Sequence, residues 1–111
     1  MDLDISTEFI GDACRISIKG EVDVYTSPSL KSAIIGVIDQ GCLNLVVDLE
    51  DVGFIDSSGL GVLVSGLRRV KEQSGSLRLI CARENLLKIF RITGLDKVFP
   101  IFANAGEALS F

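Results

Sequence analysis

Histidine is absent from this chain. Its absence removes Ser-His-Asp and Cys-His catalysis and any metal site that needs an imidazole. Tryptophan is also absent, with one tyrosine and six phenylalanines, which leaves little for a base-stacking platform. No basic block occurs: eleven Lys and Arg stand against fifteen Asp and Glu, a formal charge of -4, which argues against nucleic acid as a partner. Cysteine is scarce and odd in number. Cys14, Cys42 and Cys81 stand far apart with no C-x-x-C, as buried free thiols of a cytoplasmic protein would. The start, Met1-Asp2-Leu3-Asp4, is acidic where a signal peptide would be basic. Charges or glycines break every apolar run well short of the roughly 18 residues of a membrane span, so no membrane partner is expected.

What remains is a chain of 111 residues, 48% hydrophobic and 23% charged, enough to build one domain with a sizeable core and too apolar for disorder. Apolar residues from Ile5 to Ile10, then the alternation Cys14, Ile16, Ile18, predict a hairpin turning at Gly11-Asp12. Gly20 to Asp23 continues as an extended piece. Thr26 or Ser27 caps a helix with Pro28 in its first turn, where a missing N–H costs little. Leu30, Ala33, Ile34, Val37 and Ile38 keep helical spacing up to Gly41. Residues 43–49 read as a strand buried on both faces. A helix follows from Ser57 to about Gln73, a strand over 77–82, a helix over 84–92 stopped by Gly94, and an edge strand over 98–102 that contains Pro100. Residues 104–109 start a terminal helix. This alternation is the pattern of an α/β fold, a mixed sheet with an antiparallel N-terminal hairpin flanked by helices.

The most informative stretch is Phe54-Ile-Asp-Ser-Ser-Gly-Leu-Gly-Val-Leu-Val64, at the junction of a strand and a helix. It sets Ser57 and Ser58 behind Asp56 at the helix N-terminus, where a hydroxyl either caps the helix or accepts a phosphoryl group. Gly59-Leu60-Gly61 fails as a dinucleotide fingerprint, because position 64 is valine. No Lys-Ser/Thr pair completes a phosphate loop, and G-x-S-x-G is missing. At 100° per residue, Gly59, Leu63, Gly66, Leu67 and Val70 share the face expected in the core. Ser57, Leu60, Gly61, Val64, Arg68 and Lys71 share a neighbouring one. Its early turns are apolar, so Leu60 and Val64 form either a wide buried face or an exposed contact patch beside a modifiable hydroxyl. Glu21 and Asp23 are loop acids that could line the same end of the sheet.

Three segments carry a resemblance that spans essentially the whole chain. They are Gly20-Glu-Val-Asp23, the run Val-Val-Asp-Leu-Glu-Asp-Val-Gly-Phe-Ile-Asp-Ser-Ser-Gly-Leu-Gly from Val46 to Gly61, and Thr93-Gly-Leu-Asp-Lys-Val-Phe99. Together they resemble the anti-sigma factor antagonists, proteins made of a single STAS domain, here residues 1–111. The middle segment is the specific one. The resemblance implies a regulator in stress response or sporulation, not an enzyme, that needs no cofactor and no metal. Unmodified, such a protein binds an anti-sigma factor that is also a serine kinase and so frees a sigma factor for transcription. The kinase then phosphorylates the first serine after the signature acid, which is Ser57, and a serine phosphatase reverses the step. Asp23, Asp56, Ser58 and Gly59, with Leu60, Gly61 and Val64, are the expected partner-binding surface. The alternative is a STAS scaffold subunit of a larger signalling assembly, in which Ser57 is only a cap.

Overall fold

A computed structural model describes residues 3–111. Gly11, at φ +59°, supplies the left-handed turn that joins β1 (Asp4–Ile10) to β2 (Ala13–Val22) in antiparallel register, Ile10 opposite Ala13 and Asp4 opposite Lys19. After α1 (Ser27–Asp39) the chain enters β3 (Asn44–Ile55), parallel to β2. Then follow α2 (Ser57–Lys71), β4 (Ser76–Ile80) and α3 (Glu84–Thr93). A 3-10 turn over Leu95–Lys97, β5 (Ile101–Phe102) and α4 (Ala105–Ala108) complete it. The five strands lie in the order β1-β2-β3-β4-β5, with every pairing after the hairpin parallel. The expected mixed sheet with an N-terminal hairpin is what forms.

Successive parallel strands joined by crossovers of one hand put their helices on one face of the sheet. The main core lies there. Cys14, Ile16 and Ile18 of β2 and Leu45, Val47 and Leu49 of β3 meet Leu30, Ile34 and Val37 of α1, Leu63 and Val70 of α2, and Leu86 and Phe90 of α3. The opposite face is closed only in part, where α4 sets Ala108 against Val46 and Ile80. Both faces of β3 are therefore used over residues 45–49, as the apolar run predicts. The one acid in that run, Asp48, is buried but satisfied. Its Oδ2 accepts from Arg15 Nη2 at 2.6 Å and Nε at 3.1 Å, and its Oδ1 accepts from the Glu50 N–H.

Two boundaries differ most from the sequence reading, the others moving by one or two residues. β3 runs on to Ile55 rather than stopping at Leu49, because β2 itself extends to Val22 and pairs with residues 51–55 across two register shifts. The last strand shrinks to two residues. Val98 still has helical dihedrals after the 3-10 turn, and Pro100 contributes only its carbonyl, which accepts from the Leu79 N–H at the sheet edge. Cys14, Cys42 and Cys81 are free and buried, as expected. Among the described residues no helix is long and apolar enough to cross a membrane.

Candidate functional site

The long β3 carries the chain past β4 and delivers it to α2 at Asp56, whose extended dihedrals (φ -104°, ψ -173°) make it the N-cap. Asp56, not either serine, is the capping residue. Its Oδ1 accepts from the backbone N–H groups of Ser58 (2.9 Å) and Gly59 (3.2 Å) and from the Ser58 hydroxyl (2.5 Å). These bonds favour the ionised form and hold the carboxyl below the usual range. The Ser58 hydroxyl has the largest effect.

The division of labour between the two hydroxyls follows. Ser58 is half-buried and spends its hydroxyl on Asp56. Ser57 is the first helical residue, exposed, and its hydroxyl has no hydrogen-bond partner among the described residues. An exposed nucleophilic oxygen at a helix N-terminus can take a group without breaking a structural bond.

Gly59 lies against the sheet. A Cβ there would stand 2.6 Å from Val22 Cγ1 and 2.7 Å from Ile55 Cγ1. The next glycine, Gly61, is exposed and faces open space. Leu60 corrects the expectation of an exposed patch: it is 9% exposed and belongs to the core. Val64 is half-buried and packs against the same core. α1 covers a different side of α2, where Gly66 stands beside Ile34, so Leu60 enters the core on the side turned away from α1.

Asp23 reaches this end of the sheet because the Asp56 N–H donates to the Val22 carbonyl at 3.0 Å. The two loops therefore start side by side. Asp23 Oδ1 accepts from the N–H groups of Tyr25 and Thr26, while Thr26 Oγ1 accepts from the Asp23 N–H and donates to the Glu21 carbonyl. This closed turn projects Val24 and Tyr25 outward, 62% and 85% exposed. Phe54, at the end of β3, is also exposed. On the other flank, Arg83 Nε and Asn85 Nδ2 donate to the carbonyls of Glu50 and Gly53 and pin the protruding part of β3.

The exposed apolar groups at this end of the sheet are thus Val24 and Tyr25, with Phe54 on the face turned away from the helices, and the sequence reading missed all three. The available signal was a Val-Tyr pair between Asp23 and the capping hydroxyl of a helix, too short to enter the core. Among the described residues no three metal-ligating side chains converge.

The STAS domain family model matches residues 4–108. The chain is 36% identical over 105 residues to the anti-sigma-B factor antagonist of Bacillus subtilis, covering 95% of each chain. It is 33% identical over 101 residues to the antagonist of the same name from Staphylococcus epidermidis, covering 91% of this chain and 94% of that one. A crystal structure of an anti-sigma factor antagonist from Mycobacterium paratuberculosis superposes with a TM-score of 0.89 at 29% identity, over 97% of this chain and 92% of the other. With the fold, the strand-to-helix junction and these likenesses in agreement along nearly the whole length, the chain belongs to the STAS domain family, among its anti-sigma factor antagonists.

Proposed function

We propose that this protein switches partners through Ser57. Unmodified, it binds an anti-sigma factor that is also a serine kinase and so frees a sigma factor in the cytoplasm. Phosphorylation of Ser57 ends the binding, and a serine phosphatase restores it. The protein does no chemistry of its own and supplies only the accepting hydroxyl.

The observation that carries this reading is the separation of roles at the head of α2. Asp56 caps the helix, and Ser57 is left exposed with a free hydroxyl. A phosphoryl group there adds roughly -1.5 to -2 charge. The positive end of the helix dipole favours that charge, so the fold can bear it. Asp56 already holds the N–H groups of Ser58 and Gly59. The phosphate therefore stays on the surface, beside another negative group, instead of folding into the cap. Val24 and Tyr25 in the adjoining loop make that end of the molecule partly apolar, and a partner that desolvates it has to strip water from the new charge. Asp23, Gly61 and the half-buried Val64 complete the proposed contact region.

The test is phosphopeptide mapping after incubation with ATP and the cognate kinase, followed by calorimetry with the anti-sigma factor. Label on Ser57 and loss of binding by the modified form are expected. Ser57→Ala should bind and resist labelling. Ser57→Asp, with one charge and fewer acceptor oxygens, should bind more weakly than wild type. Label on Ser58, or unchanged binding by the phosphorylated form, overturns the switch. A chain that is never labelled fits the scaffold role instead.

A further inference from the structure

We infer that β1 is a self-pairing edge, through which two copies of this chain join into one continuous ten-stranded sheet. β1 ends the sheet, and among the described residues β2 is its one strand neighbour. From Ser6 to Ile10 every residue is exposed, including Phe9 at 52% and Ile10 at 37%. The strand has no proline and is seven residues long. Its outer N–H and C=O groups are spaced to receive another strand.

The two faces of β1 follow from its register. Ile5, Thr7 and Phe9 lie opposite Ile18, Ile16 and Cys14, whose side chains form the core under the helices. They share that helix-bearing face, where Ile5 already packs on the core. Asp4, Ser6, Glu8 and Ile10 lie opposite Lys19, Ser17, Arg15 and Ala13, on the other face.

An antiparallel pair related by a two-fold axis keeps like-facing residues opposite each other, so the axis must pass beside a residue, not between two. Three centres use most of the strand. Centred on Ser6, Asp4 meets Glu8 of the other copy. Centred on Glu8, that carboxylate meets its own copy. Both registers place like charges directly opposite, which is destabilising.

Centred on Thr7, Asp4 meets Ile10, Ile5 meets Phe9, Ser6 meets Glu8 and Thr7 meets Thr7. No acid faces an acid, and the whole strand is paired. The two Ile5–Phe9 contacts extend the apolar face across the junction, and Thr–Thr is a favourable cross-strand pair. Asp4 and Glu8 thus act as register keys that permit one self-pairing and penalise its neighbours. Ser57 follows β3, two strands in from this edge, so both copies keep their Ser57 surface open, and the two-fold turns these surfaces to opposite ends of the assembly.

The test uses the intact chain in sedimentation equilibrium from micromolar to millimolar concentration, with disulfide trapping. Wild type should pass from monomer to dimer as concentration rises. Thr7→Lys, which sets two ammonium groups face to face at the axis, should lose the dimer while keeping its circular dichroism spectrum. Under mild oxidation Thr7→Cys should cross-link into a dimer, whereas Ser6→Cys and Glu8→Cys should not. Cross-linking decides the matter if Thr7→Lys fails to fold. A wild type that stays monomeric throughout, a dimer undiminished in folded Thr7→Lys, or trapping at position 6 or 8 in place of 7 would overturn the inference.

Discussion

Gly59 and Val22 are in direct contact, so close that a methyl group built on Gly59 would lie 2.6 Å from Val22 Cγ1. Both neighbours of that methyl, Val22 and Ile55, are branched and buried, so neither can swing aside. The head of α2, and Ser57 with it, is held against the ends of β2 and β3 by the lack of a side chain. Gly59→Ala should cost about 1–3 kcal/mol through overpacking. Gly61→Ala, which faces open space on the same helix, should be neutral or stabilising by up to about 1 kcal/mol. Urea titration of the two variants checks the contrast, and equal midpoints would show that the contact yields freely.

Leu60 and Tyr25 should behave oppositely on truncation. Leu60 is buried, so Leu60→Ala should lower stability by about 2–5 kcal/mol, and any loss of partner binding would be mixed with unfolding. Tyr25 is 85% exposed, so Tyr25→Ala should stay within about 0.5 kcal/mol of wild type and still weaken anti-sigma factor binding. Calorimetry beside a denaturant curve separates the two. Full affinity in folded Tyr25→Ala would remove that side chain from the contact surface.

Asp56 should make stability depend on pH in one direction. Its carboxyl titrates lower when folded than when unfolded. Its contribution is therefore complete above the unfolded value of about 3.9 and is lost as pH falls through the folded value. Asp56→Ala should show a lower urea midpoint than wild type at neutral pH, and the gap should close on acidification below about pH 4. A gap independent of pH would mean that the ionised cap is not what the substitution removes.

The three thiols should be silent in the native protein. Burial raises the Cys14 thiol first of all, and the neighbouring Cys42 thiol raises it further. Burial likewise raises Cys81, and Cys42 is only 7% exposed. Since the thiolate is the reactive form, an aromatic disulfide reagent at mildly alkaline pH should react slowly until urea unfolds the chain, then titrate all three. Rapid reaction without denaturant would place a thiol at the surface.

Local chemistry alone decided much of this molecule. Gly11-Asp12 closes the hairpin, Gly94 takes a left-handed φ of +76° to end α3, and the core face Gly59, Leu63, Gly66, Leu67, Val70 is buried throughout. Each depends on residues within a few positions of one another, which turn propensity and helical period can report. Other features depend on what lies across space. Three adjacent side chains, Asp56, Ser57 and Ser58, could all cap α2, and the exit direction of β3 selects the acid. The angle of Leu60 on the helix is readable, but whether that side is covered depends on what the rest of the fold sets against it. Asp48 is tolerable in the interior because Arg15, 33 positions away, arrives from the neighbouring strand. Cys14 and Cys42 are distant in sequence and neighbours in the fold. Periodicity specifies a direction from an element's axis. Only tertiary packing specifies what stands there, because burial and pairing are properties of two elements at once.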